Sequence, residues 1–507
     1  MKRITLTLTL ILTLLVPINS ASSATVKAGS LCKGVNATQT VVDRVFTCVK
    51  VGKKLLWNSG QLNYEYLYST DQGFKSNFLG PCDSDPDLPS QWAEFSKYYA
   101  SKGRCQWGYR MKKYELGSQL PKQPISSTND LLPIEACKIK DLDNAGWVRA
   151  FPGSSNSNKA FRAVQRANYV KPNTIVQVVP IYSPDSAAPT KSPRQDYEKY
   201  FNFLKNWAEY VTDGNSDIQI RYPDKYLEFG NPLAPYNIWH HGQNDGPLGQ
   251  DLIAAVDKDI DFSGAQIVVV VVPSGTSLKI IQQGPIGTIQ TNEGRIYNAS
   301  AVYPDTYSDP TNLEFSGLAH PRWWVHELYH LGLGLDDHYG DDAKNVNTEF
   351  GMGYWSLMTP GDGDLTVWEK WFIGFVKDEQ ARCASKDKTT THWLMPSSVK
   401  GLQSKVLAIP LSSEKVIVVE SVRAAGIAFK LPVASQGALV YVVDVTKTDH
   451  GQGMKIVLPS SRSVSKTPFF LADAPLKNGE SVIYEKVKIT VIESGNFGDV
   501  IKVEKAA

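Results

Sequence analysis

The 507-residue chain has no excess of charge: 53 Lys and Arg stand against 51 Asp and Glu, a net charge of +2. That balance gives no long-range pull toward nucleic acid or an anionic bilayer, so neither is expected as a partner. Beyond the first residues no apolar run approaches the ~20 residues needed to span a membrane, and no stretch repeats or is of low complexity. Cysteine is scarce. Cys32, Cys48, Cys82, Cys105, Cys137 and Cys383 are the whole set, and no two have the two-residue spacing of a zinc knuckle or a redox pair. With 42% apolar and 10% aromatic residues the chain is far from the composition of a disordered protein.

What is present starts at the N-terminus. Lys2 and Arg3 lead into an apolar run from Ile4 to Val16, then Pro17 and small residues up to Ala24. This is the pattern of a secretory signal peptide over residues 1–24, with Ala21 as a second cleavage point. An even number of cysteines fits export to an oxidising environment, so the protein is expected to be secreted, or held at the cell surface, and disulfide-bonded. Cys32 and Cys48 form the expected pair; the other four allow three pairings.

The chain then divides by pattern. Residues 25–60 read as a disulfide-stapled hairpin, with Cys32 and Cys48 bracketing two strand-like runs. Residues 61–170 show no assignable period, and a pro-segment is a candidate role. From residue 171 to 383 strands alternate with helices: Ile175 to Pro180 and Ile267 to Val272 read as buried strands. Tyr200, Phe201, Leu204, Trp207 and Val211 have helical spacing. A strand is expected at Ile218 to Tyr222, a helix through Leu252, Ile253 and Val256, short β pieces over Leu278 to Val302, and an amphipathic helix over Leu365 to Val376. Residues 384–507 hold short apolar runs punctuated by Gly, Pro, Ser and Asn, as in an antiparallel β-sandwich.

Chemistry concentrates at His326-Glu327-Leu328-Tyr329-His330. Histidines four apart on a helix share a face one turn from each other and can aim ring nitrogens at one Zn²⁺. Glu327 is then the candidate general base, holding and deprotonating a water that the metal has made acidic. With eight histidines in the chain, a chance His-Glu-x-x-His has a probability on the order of a hundredth. The bland alternative is a pair of surface histidines on an ordinary helix.

Gly332 and Gly334 follow at once and can turn the chain so that a third ligand swings back to the ion. In the long metzincin signature the glycine lies three residues after the second histidine and the third ligand three further on, positions held here by Leu333 and Asp336. Keeping the Gly-x-x-ligand spacing selects Gly334 and Asp337 instead. Asp337 is preferred as third metal ligand, with Asp336 and His338 as alternatives. About twenty residues on, Tyr354-Trp355-Ser356-Leu357-Met358-Thr359-Pro360 offers Met358 for a Met-turn beneath the metal. Tyr339 and Tyr354 are the local candidates to stabilise an oxyanion. Calcium is a further candidate ion, at Asp362 and Asp364 or at Asp341 and Asp342.

Taken together, these motifs resemble the immune inhibitor A-type metallopeptidases, exported bacterial zinc proteases with a metzincin-like site. The His-Glu-x-x-His helix runs into Leu333-Gly334-Leu335-Asp336-Asp337-His338-Tyr339, similar to that family's Leu-Gly-Leu-Pro-Asp-x-Tyr. The Trp355-Ser356-Leu357-Met358 segment is followed by Trp368-Glu369-Lys370 and Ile373-Gly374-Phe375, like its Met-turn and next helix. Val418 to Arg423 and Gly437 to Asp444 resemble its β-rich C-terminal part. The departures are one extra residue before Gly334 and Asp336 where the family has proline.

The resemblance spans roughly residues 170–505. It implies an α+β fold, a metzincin-like zinc protease catalytic domain followed by a C-terminal antiparallel β-sandwich. It implies a zinc endopeptidase acting on protein or peptide substrates laid along an edge strand within Ile286 to Val302. Two rivals stand beside it: an amidase of cell-wall peptides using the same chemistry, and a surface-binding protein that keeps the fold without hydrolysis. Only Glu327 speaks against the latter, since a pure binder has no need of a base there.

Overall fold

The structure, a computed structural model, describes residues 26–35, 37–41, 44–58, 61–62, 127–139, 174–238, 245–302, 304, 321–333, 335, 337–338, 351–353, 355–359, 364–424, 431, 433–447, 453–463 and 471–506. The chain separates into two units, residues 1–61 and 62–507. In the first, β1 (Thr38–Val41), β2 (Arg44–Val51) and β3 (Lys54–Trp57) form an antiparallel meander, and β4 (Gln61–Leu62) also pairs with β2. The Cys32–Cys48 disulfide staples it. A sheet this small buries little apolar area, so the covalent link supplies much of what a core would.

The second unit begins with a sheet in the order β6-β5-β8-β10-β9. Its strands are β5 (Thr174–Tyr182), β6 (Ile218–Arg221), β8 (Ala265–Val271), β9 (Gly284–Thr291) and β10 (Gly294–Ala301), with β7 (Leu227–Glu228) added beside β5. Strands β6, β5, β8 and β10 run parallel, and β9 closes one edge antiparallel to β10. Both faces are covered, which is why β8 reads as an unbroken apolar run. Ile267, Val269 and Val271 face one core, shared with helix α1 (Pro193–Val211) and helix α3 (Pro321–Leu333). Val268, Val270 and Val272 face the other, shared with helix α2 (Asp245–Val256). Gly249 lets α2 approach closely, since a Cβ there would lie 3.3 Å from Ile286 and 3.4 Å from Ile289.

Two further sheets follow helix α4 (Val367–Phe372). One has the order β11-β13-β14-β15-β16, from Ala381–Cys383, Val406–Pro410, Lys415–Val422, Gly437–Asp444 and Met454–Ile456. The other has the order β12-β19-β18-β17, from Thr390–Leu394, Gly498–Lys505, Val487–Gly495 and Ser481–Tyr484. Leu407, Ile409, Ile417, Val419, Val440 and Val442 of the first meet Val482, Ile489, Val491, Ile501 and Val503 of the second. The opposite face of the first sheet is buried too: Val406, Ala408, Val416, Val418, Leu439, Tyr441 and Val443 join the core that holds α3 and α4. Alternate residues of β13, β14 and β15 thus serve two cores.

Residues 127–139, within the stretch that had no assignable pattern, lie against this region. The Thr128 N–H donates to Thr391 O at 2.8 Å, the Leu132 N–H to Cys383 O at 2.9 Å, and Cys137 is disulfide-bonded to Cys383. Cys82 and Cys105 lie outside the described residues.

The α+β, metzincin-like architecture expected from the sequence is corrected. Among the described residues there are nineteen strands in four sheets against four α-helices, a β-rich fold. The expectation over-weighted helix at Leu365 to Val376, where α4 spans only Val367–Phe372. Gly374, at φ +83°, turns the chain there. It also passed over the short strands β11, β12 and β17, three to five residues each, which are too brief to show a period in sequence.

Candidate metal centre

Helix α3 is seated by aromatic packing. Trp324, 1% exposed, stacks on Tyr200 of α1 with centroids 4.3 Å apart and on Tyr197 at 5.5 Å, and meets Phe201 edge-on at 5.4 Å. Val325, Leu328, Tyr329 and Leu333 complete its buried stripe. His326 and His330 project from another face, one turn apart.

Three acceptor atoms converge there. The Nε2 atoms of His326 and His330 lie 3.0 Å apart, and Oδ1 of Asp337 lies 3.2 Å from each. Ligand atoms around a tetrahedral Zn²⁺ at 2.0–2.1 Å are separated by about 3.3 Å, so this triangle has the size of one face of such a tetrahedron. His326 Nδ1 is 2.7 Å from Leu357 O, and His330 Nδ1 is 2.6 Å from Leu335 O. A carbonyl oxygen only accepts, so each Nδ1 carries the proton and donates it. Each Nε2 of a neutral ring then presents a lone pair. Two lone pairs and a carboxylate oxygen thus face one point, and Asp337 Oδ1 is buried with no hydrogen-bond donor. Such a cluster repels itself unless a cation or protons occupy it.

The electrostatics agree. Burial disfavours charge on His330, but the adjacent Asp337 carboxylate, with help from Glu327 and the Leu335 carbonyl, outweighs it and raises the imidazole to about 10. Burial acts against ionised Asp337 as well, yet His330 and His326 hold its carboxyl well below the usual range. The pocket favours positive charge between these three side chains. Among the described residues no other group of three His, Cys, Asp or Glu comes together in this way.

Of the three candidates for the third position, Asp337 is the one whose carboxylate oxygen lies beside both imidazoles. His338 is turned elsewhere: its Nε2 is 2.9 Å from Glu369 Oε1, and its N–H donates to Met358 O at 2.8 Å. Asp336, Tyr339 and Tyr354 lie outside the described residues. Met358 is fully buried at a turn. The carbonyls of that turn do much of the orienting, Leu357 O taking the proton of His326 and Met358 O that of the His338 amide. Asp364, a calcium candidate, is ion-paired with Lys370; Asp341, Asp342 and Asp362 lie outside the described residues. Strand β9 forms one edge of its sheet, and α3 packs against the neighbouring β10.

Sequence reasoning passed over Glu369. It completes a capping box with Thr366 at the start of α4, and its carboxylate also accepts from Ser356 Oγ at 2.8–2.9 Å. The Thr366-x-x-Glu369 spacing was the signal available for the cap. Nothing in sequence pointed to its reach to His338.

Comparison with protein-family models and with curated proteins finds no match for this chain. No helix among the described residues is long and apolar enough to cross a membrane.

Proposed function

We propose that this protein is a secreted, zinc-dependent endopeptidase, akin to the immune inhibitor A-type peptidases in its motifs. The observation that carries the reading is the convergence of His326 Nε2, His330 Nε2 and Asp337 Oδ1, with both imidazoles locked in the ligating tautomer by carbonyl oxygens. The donor set of two imidazoles and one carboxylate suits Zn²⁺ in a site that leaves a fourth position open. A zinc ion held there would supply Lewis acidity toward water and the scissile carbonyl.

The chain's own residues supply the rest. Glu327, partly exposed on α3 beside both histidines, accepts the proton of the attacking water and returns it to the leaving amine. His326 and His330 keep their orientation through the Leu357 and Leu335 carbonyls. A peptide bound in extended form adds to the outer edge of β9, the last strand of its sheet among the described residues, its main chain held by strand-like hydrogen bonds.

The test is elemental zinc analysis of the exported protein together with hydrolysis of casein, with and without a chelator, for wild type and Glu327→Gln. The expected outcome is about one zinc per chain in both proteins, with chelator-sensitive cleavage in the wild type alone. Folded protein without zinc would refute the reading. Zinc with undiminished cleavage in Glu327→Gln would remove Glu327 from its role, and zinc without any wild-type cleavage would favour the surface-binding alternative.

A further inference from the structure

We propose that Glu369 is a positioning residue for the metal centre, clamping the loop that carries Asp337 against the Leu357–Met358 turn. The inference rests on the reading of His326, His330 and Asp337 as ligands, and deepens it by naming what holds the third one in place.

Asp337 lies four residues past the end of α3, with its Oδ1 3.2 Å from the Nε2 atoms of His326 and His330. Besides these contacts, its neighbours along the chain set its place. Leu335 on one side bonds to His330. His338 on the other is fixed at two points, by its N–H on Met358 O (2.8 Å) and by its ring on Glu369 Oε1 (2.9 Å). The turn that receives the His338 N–H is the one that orients His326, and Glu369 reaches it as well. Ser356 Oγ lies 2.9 and 2.8 Å from the two Glu369 oxygens while accepting the Met358 N–H at 3.0 Å. One carboxylate thus stands a single hydrogen bond from the segment carrying Asp337 and a single hydrogen bond from the turn behind His326.

Helix capping alone does not account for this residue. A cap contributes only modest stability, whereas burying a carboxylate is costly unless its oxygens are satisfied. Glu369 is 0% exposed, and Thr366 N–H (2.6 Å), Thr366 Oγ1 (2.8 Å), Ser356 and His338 all come to it. The side chain also sits on a rigid base, since Val367, Trp368, Trp371 and Phe372 of the same short helix are buried. The arrangement joins three separate stretches of chain, one carrying Asp337 and one orienting His326 through Leu357 O, as outer partners of ligands do elsewhere.

The experiment measures zinc affinity by competition with a chelator of known strength, alongside thermal unfolding, in the purified full-length protein. His338→Phe removes the ring contact and keeps the backbone one. Zinc binding is expected to weaken by about 10- to 100-fold, the loss usual for outer partners of ligands. His338→Gln, which again presents a donor to Glu369, should restore most of it. Thr366→Ala strikes the cap and spares His338, so it should lower the unfolding temperature and leave zinc affinity unchanged.

A folded His338→Phe protein with wild-type zinc affinity overturns the proposal, and so does a Thr366→Ala protein that loses as much affinity as His338→Phe. If His338→Phe fails to fold, Ser356→Ala takes its place. It cuts the link from Glu369 to the turn, and unchanged zinc affinity there refutes the clamp. A wild-type protein that takes up no zinc refutes the metal centre itself, a result distinct from a zinc-binding wild type with insensitive variants.

Discussion

Behind α4 lies a group of buried ionisable side chains whose charge does not balance, and a substitution there should stabilise the protein in a pH-dependent way. Lys370 pairs with Asp364 and donates to Ser397 O at 3.0 Å; Lys405 pairs with Asp213, which also accepts from Gln380 Nε2 at 2.9 Å and from the Gly401 N–H at 3.0 Å. Glu420, 2% exposed, accepts from the Val367 N–H at 3.3 Å and is the third carboxyl beside two ammonium groups. Burial pushes it up to about 7, only partly offset by Lys370, Ser397 and the Val367 amide.

The folded protein therefore keeps a proton on Glu420 that the unfolded chain releases near 4.5. Between those values the unfolded state binds fewer protons, so stability falls as pH rises and the loss is complete above about 7. At about 1.4 kcal/mol per pH unit, the interval corresponds to about 3 kcal/mol. Glu420→Gln keeps the shape and an acceptor for Val367 but cannot ionise. It should match the wild type near pH 4.5 and exceed it by up to about 3 kcal/mol at pH 8. Urea unfolding at the two pH values, zinc present throughout, reads the difference. A variant less stable than wild type at pH 8, or one whose pH profile is superimposable on it, would show that Glu420 carries no extra proton in the folded protein.

Three further outcomes are expected. Trp324→Ala empties the aromatic seat of α3 and should cost about 3–5 kcal/mol, with zinc retained less tightly; calorimetry and zinc analysis check both. Replacing Cys137 and Cys383 together by serine frees the 127–139 segment from β11 and should lower stability by about 2–5 kcal/mol, seen as a drop in unfolding temperature in non-reducing buffer. Gly498→Ala places a Cβ 1.9 Å from the Leu394 carbonyl oxygen at φ +115°, so it should disrupt the β12–β19 pairing, and a soluble variant with wild-type thermal stability would contradict that contact.

Much of the second unit could be read from the chain. The strand at Ile175 to Pro180 is the centre of β5, the spacing from Tyr197 to Val211 is the buried stripe of α1, and Pro273 lies two residues past the end of β8. The Cys32–Cys48 link expected in the first unit is present, in a meander of three strands where a two-strand hairpin was expected. What could not be read was partnership at a distance. The Cys137–Cys383 bond closes 246 residues of sequence separation, and no local pattern chooses it among three pairings. Likewise, the apolar runs of β13, β14 and β15 said that these strands are buried without saying that their second face meets α3 and α4.

The same distinction explains the metal site. His326 and His330 are legible because one helical turn sets their geometry, so spacing in sequence is spacing in space. Asp337 sits beyond a helix end, where one inserted residue moves the register, and the sequence offered three adjacent candidates for one position. The structure separates two of them by what their side chains already touch: Asp337 Oδ1 faces both Nε2 atoms with no donor of its own, whereas the His338 ring is spent on Glu369. A third-ligand candidate on a loop is singled out by the partners that its neighbours' side chains already have. That information is tertiary, and it lies in Ser356, Met358 and Glu369, which meet the Asp337 segment from other parts of the chain. If the clamp were lost, Asp337 would no longer be distinguished from its neighbours by geometry, and zinc affinity would report it before the fold did.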